Sequence, residues 1–265
     1  MTTTIRRSDT PADVRPDIVE PAVAVTQYSR RAIVAIWAAA ALPMAALAWV
    51  VAPAFADGGG ASLARALIVS LTVGLIWQFV LVLGLVGHEQ RTLRWSRTRE
   101  ALWLRPPRNP RCGRMGGRTW LIVLPLVVAF AFRELVPSFP AVAGRDLGAF
   151  LETTAGENLF AGSWGWFAVA LAMFVFNTVL GEELLFRGVL LPRMHGAFGD
   201  RDWVANGVLF AGYHLHAPWA IPVTLLDTFI LSYPAKRYRS VWVSIAVHSA
   251  QSVVFALLLL TIVNG

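Results

Sequence analysis

The 265-residue chain has a single cysteine, Cys112, so neither a disulfide framework nor a cysteine metal cluster can be built. Charge is also scarce. Only 15% of residues are charged, against 56% hydrophobic ones and a mean hydropathy of +0.58, a balance that excludes an ordinary water-soluble domain. No internal repeat is visible, and no glycine-rich phosphate loop follows a strand pattern.

What is present is a series of long apolar runs. Those near the roughly 20 residues needed to cross a hydrocarbon core lie at Ala32–Ala56, Leu63–Gly87, Thr119–Pro137, Trp164–Leu190 and Val241–Val263. Two shorter runs, Trp203–Ala217 and Trp219–Tyr233, are separated by Pro218 and read either as short crossings or as a re-entrant pair. The expected fold is an all-α polytopic transmembrane bundle of about seven passes, with any active site in a cavity among the last four.

The net charge of +7 is concentrated in one place, because nine arginines lie between His88 and Arg118. Positive loops stay in the cytoplasm. The same rule puts Arg30 and Arg31, Arg193 with Arg201, and Lys236-Arg237-Tyr238-Arg239 on that side, while Asp57–Ser62 and Ser138–Ser163 are neutral or acidic. A cytoplasmic N-terminus and an extracytoplasmic C-terminus in a bacterial-type inner membrane follow. Nucleic acid is not an expected partner, since the arginine loop has no interleaved aromatics beyond Trp95 and Trp103. With Pro106, Pro107, Pro110, Gly113, Gly116 and Gly117 it reads as irregular structure lying on anionic headgroups.

Residues 1–29 read as a flexible cytoplasmic tail, and 30–137 as transmembrane spans enclosing the arginine loop at 88–118. Ser29-Arg30-Arg31 followed by an apolar run ending Ala54-Phe55-Ala56 has the outline of a signal peptide. The run exceeds a signal core of about 7 to 15 residues, so an uncleaved anchor is expected. Gln78 has no evident partner there, and these spans read as scaffold.

Charged side chains at a helix centre in the membrane cost about 2.5 to 3.5 kcal/mol each on insertion scales, so each one calls for a reason. Glu182, Glu183 and Arg187 fall within one apolar run. On a helix Glu183 and Arg187 are one turn apart and can pair, which leaves Glu182 available on another face. A carboxyl group away from water suits a general acid or base working near neutral pH. Counting about 1.5 Å per residue from the cytoplasmic boundaries puts Glu182 roughly 12 Å deep, His214 roughly 16 Å and His248 roughly 10 Å. Three helices thus bring Glu, His and His to a common level nearer the cytoplasm. His216 reads as interfacial and facing elsewhere, Asp227 as a bond to nearby backbone or an addition to the cavity, and His195 as solvated. Arg133 and Glu134 lie near the outer interface, where snorkelling accounts for them.

These residues resemble the motifs of the CAAX-processing and bacteriocin-processing (CPBP, or Abi) intramembrane proteases. Glu182, Glu183 and Arg187 match a Glu-Glu-x-x-x-Arg motif, Phe210 and His214 match Phe-x-x-x-His, and His248 opens His-x-x-x-Asn/Asp. The resemblance spans about 164–263, which would form the protease core. Ser252 departs from it, standing where the family has Asn or Asp to hold an oxyanion or position a ligand. A serine hydroxyl reaches less far than an amide, and Gln251 could compensate only if its longer side chain turns inward.

The resemblance implies an endopeptidase acting on a membrane-associated peptide or protein near the cytoplasmic leaflet. In that reading Glu182 takes a proton from water, His214 orients the water, and His248 with Ser252 faces the oxyanion, while Glu183 and Arg187 hold the helix and tune Glu182. Glu182, His214 and His248 are also a set that can hold a divalent metal such as zinc. No cofactor is required by the glutamate mechanism, and the chain lacks the His-Glu-x-x-His helix that would favour zinc. The competing functions are a non-catalytic scaffold or bacteriocin immunity protein and, more distantly, a proton-coupled transporter, against which the absence of an inverted repeat counts.

Overall fold

The computed structural model describes residues 25–137 and 139–265, apart from the side chain of Glu134. Residues 1–24 of the expected flexible tail, and the expected snorkelling of Glu134, lie outside the described residues. Within them the chain is all helix, without a strand. Four helices are long and apolar enough to cross a membrane: α1 (Arg30–Ala54), α2 (Gly60–Gln90), α7 (Trp164–Arg193) and α10 (Val241–Asn264). Between them come α3 (Trp95–Ala101) and the shorter apolar α4 (Gly117–Phe132), then α5 (Leu147–Leu151) and α6 (Thr154–Phe160). After α7 come α8 (Asp202–Tyr213) and an uneven α9 over 221–238.

Large apolar side chains cover the outside, among them Val50, Val80, Leu124, Val254 and Leu257. Such an exterior is tolerated in lipid and not in water, and the chain is a membrane protein. Two expectations are corrected here. The arginine loop is not wholly irregular, because Trp95–Ala101 is helical. The run expected to cross at Thr119–Pro137 stops at Phe132 as an α-helix, since Arg133 turns inward to an ion pair.

Local chemistry explains how the spans are set. Ser29 caps α1, its hydroxyl accepting from the Ala32 amide at 3.2 Å. Pro43 within α1 has no N–H to give the Ala39 carbonyl, and the Trp77 indole of α2 donates to that carbonyl instead, at 2.8 Å. The helix widens to π winding at Leu47–Val51, after the proline.

The two short apolar runs form an antiparallel pair. Asp202 at the start of α8 meets Lys236 near the end of α9, and Ser232 donates to Asn206 at 2.9 Å. The pair lies along α1 for most of its length: Arg30 donates to Ala197, Trp37 to Leu209 and Trp49 to Leu215, at 3.1, 2.8 and 2.8 Å. Its tip, at 214–220, is a series of 3-10 turns beside the far end of α1. Gly207 lets the arms approach closely, since a Cβ there would overlap the side chain and Cα of Thr228. Ala at this position should therefore destabilise, by about 1–3 kcal/mol, although Ala favours a helix over Gly. Thermal melts in detergent should show a fall for G207A and none for G84A, where space is open.

Candidate functional site

The long helix α7 does not keep α-helical winding through its polar segment. It is π-wound over Phe176–Gly181 and again over Leu184–Leu190, on either side of Glu182 and Glu183. Widened turns of this kind release backbone groups and re-aim side chains, and they recur at functional sites. Gly181 makes room for the arrangement, because a Cβ there would stand 3.1 Å from the Leu75 carbonyl oxygen of α2.

Glu183 and Arg187 remain one turn apart and pair at 3.0 Å, both wholly buried. The same Glu183 oxygen, Oε1, accepts from His248 Nδ1 of α10 at 3.0 Å. The Arg187 guanidinium sits 3.9 Å from the Phe210 ring centroid, and that ring also packs edge-on to His214 and His248, at 5.0 and 6.3 Å. Phe210 is thus the spacer between the two histidines. His214 is half-buried, and its Nδ1 lies 2.9 Å from the Phe210 carbonyl oxygen. That carbonyl can only accept, so Nδ1 carries the proton and Nε2 presents a lone pair.

Glu182 is 3% exposed. Its carboxyl group stands beside the Tyr213 hydroxyl, which accepts from Gln78 Nε2 at 2.6 Å. With the Asn177 amide in the orientation its neighbours require, its nitrogen donates to both Glu182 oxygens, at 2.8 and 3.2 Å. The carboxyl faces a cavity of about 200 Å³ whose polar wall comprises Asn177, Glu182, Tyr213, His216, Gln251 and Ser252.

Of the sequence-predicted residues, Glu182 and Ser252 line this cavity, while Glu183, Arg187 and His248 form a buried cluster behind it. His214 stands alongside, its ring stacked on that of His216 at 5.3 Å. Three residues read otherwise in the sequence belong here. Gln78 has a partner, Tyr213. His216 lines the cavity and does not face away, because the regular helix ends at Tyr213 and a 3-10 turn resets the direction of the next side chains. Arg133 does not snorkel: it is buried, donates to Asp227 Oδ2 at 2.5 Å and reaches Gln251 Oε1 at 3.4 Å. Asp227 pairs with this side chain and not with nearby backbone. The sequence signal for that pair was its cost, two opposite charges within apolar runs. Exposed His195, by contrast, is where the sequence puts it.

A metal held by Glu182, His214 and His248 does not fit this arrangement. Among the described residues no three His, Cys, Asp or Glu side chains stand together as ligands would. The cavity wall that holds Glu182 includes neither His214 nor His248.

A buried carboxyl group thus faces a small polar cavity inside a helical membrane protein, with a buried arginine and two histidines behind and beside it. Residues 164–254 match the family described as Type II CAAX prenyl endopeptidase Rce1-like, in agreement with the CPBP resemblance. Neither a curated protein nor a solved structure was found to match the chain.

Removing one member of a buried ion pair strands the other, at about 3–5 kcal/mol, whereas replacing both with apolar groups costs far less. The expected outcome is that E183Q and R187M each lower the melting temperature of the purified protein strongly, while the double variant E183L/R187M recovers much of the loss. Additive losses in the double variant would show that the two side chains are not coupled.

Proposed function

We propose that this protein is an intramembrane endopeptidase that hydrolyses a peptide bond in a membrane-associated peptide or protein, near the cytoplasmic leaflet, with Glu182 as general base. The observation that supports it most is the Glu182 carboxyl group on the wall of a polar cavity of about 200 Å³, room for a few waters at about 30 Å³ each. Asn177 and Tyr213 fix that carboxylate from two sides. A water held there gives a proton to Glu182 as its oxygen attacks the substrate carbonyl carbon. The carbon–nitrogen bond then breaks as Glu182 passes the proton to the departing amine. Neither His214 nor His248 lines the cavity before substrate enters; in this reading the bound peptide extends the site toward them, so that His214, with its Nε2 lone pair, orients the water and His248, steadied through Nδ1 by Glu183, joins Ser252 on the oxyanion side. Glu183 and Arg187 keep the base and the histidine in register.

The membrane partner in this reading is an anionic headgroup layer. Arg108, Arg111, Arg237 and Arg239 line one surface cavity. Two loops distant in sequence make it, tied by Arg108 N–H to Tyr238 O at 2.8 Å and by Arg105 Nε to Arg239 O at 3.1 Å. Such a cavity favours phosphate-bearing lipid.

A second reading, a non-catalytic scaffold or immunity protein, is favoured by Ser252 in the place of Asn or Asp. Purified protein in liposomes should cleave a membrane-anchored peptide, and E182Q should lower the rate by 10²-fold or more, the contribution of a positioned base, with an unchanged melting temperature. Retained cleavage or retained cellular function in E182Q would overturn the peptidase reading. Cleavage that disappears with a chelator and returns with zinc would replace the base mechanism by a metal one.

A further inference from the structure

The departure at Ser252 leaves the proposed hydrolysis short of a donor. A serine hydroxyl on α10 is shorter than the amide the family carries there, and the charge that develops on a tetrahedral oxyanion needs donors already aimed at it. One residue earlier, Gln251 stands on the same cavity wall as Glu182 and Ser252. Its position follows His248 by three residues, so both side chains lie along one face of α10.

The Gln251 side chain is also held in one orientation. Arg133, from the turn that ends α4, reaches its Oε1 with NH2 at 3.4 Å, while Arg133 NH1 is fixed by the carboxylate of Asp227 at 2.5 Å. The guanidinium carbon lies over the Phe130 ring, 3.7 Å from its centroid, and both charged groups are buried. Arginine only donates. The amide atom facing it must therefore be the oxygen, which leaves the Nε2 donors of Gln251, a residue of the cavity wall, for another acceptor. A longer side chain placed one residue earlier thereby offers the same functional group, a primary amide, as the Asn of the family motif.

We propose that Gln251 Nε2 is the oxyanion donor of this protein, replacing the family's Asn, and that Arg133, anchored by Asp227, is the positioning residue that orients it. This rests on the peptidase reading above. Tertiary placement carries the inference: α4, α9 and α10 each supply one member, and Phe130 packs on His248 at 5.5 Å, so the orienting group is in contact with the catalytic cluster.

The experiment measures kcat and KM separately for membrane-anchored peptide cleavage by the full chain in liposomes. Loss of one oxyanion donor costs about 10²–10³ in kcat, so Q251A should lose that factor with KM little changed, and S252A, which removes only the shorter hydroxyl, should lose distinctly less. Adding the amide back one position later, in Q251A/S252N, should recover at least tenfold in kcat, a rescue that a purely structural role for Gln251 would not give. R133K keeps a positive charge but cannot hold Asp227 and Gln251 with one planar fork; it should lower kcat about tenfold with KM unchanged. The proposal is overturned if Q251A keeps kcat within threefold of the parent while E182Q abolishes cleavage, or if S252N fails to rescue. If parent and E182Q are equally active or equally inactive, the peptidase reading fails and this assignment falls with it.

Discussion

Glu183 Oε1 accepts from Arg187 on its own helix and from His248 on the last one, and these three side chains are buried at the centre of the bundle. A carboxylate is tolerated in such a place only when cationic and hydrogen-bonding partners replace water. Much of the geometry follows from meeting that need. Arg187 must lie one turn along α7, α10 must approach closely enough for an imidazole to reach across, and Phe210 must fill the space under the guanidinium. Thr178 and Ser249, 2.9 Å apart, join the same two helices beside it. With Glu183 Oε1 bonded from two directions, its neighbour Glu182 is directed to another side, where the cavity is.

The burial of so much polarity depends on interruptions in regular helix. Asn206 adds a second bond to the Phe186 carbonyl of the π-wound stretch, which also accepts from the Leu191 amide. Backbone carbonyls released by Pro43 and by the end of α8 are taken up by side chains: Trp77 donates to Ala39 and His214 to Phe210. Each such bond satisfies a group that would otherwise be stranded in hydrocarbon and at the same time ties two elements together. Irregular backbone therefore acts as the fastening of this bundle, and the histidine of the second motif is oriented by one of these bonds.

The membrane class and the Glu183–Arg187 pair could be read from the sequence because both rest on local spacing: run length against bilayer thickness, and four residues against one helical turn. Glu182 and His248 were legible as expensive groups in apolar runs, and Phe210 and His214 through their spacing within a motif. Other features were hidden because they are tertiary. Gln78 lies 135 residues from Tyr213, and Arg133 lies 94 from Asp227, and no periodicity connects residues that far apart. His216 was misread for a different reason: a helical wheel assigns faces only while the helix lasts, and this one stops three residues before it.

The family match begins at Trp164, yet the walls of the Glu182 cavity do not. Leu71 and Leu75 of α2 and Met44 of α1 line it, Gln78 orients Tyr213, and Trp37 and Trp49 secure the arms that carry His214. The stretch recognisable by motif is thus an incomplete enclosure, closed by helices that carry no motif of their own. A recombinant graft of residues 164–254 onto foreign spans would have to restore an amide at the level of Gln78 and indole donors facing Leu209 and Leu215 before the transplanted glutamate met the same surroundings.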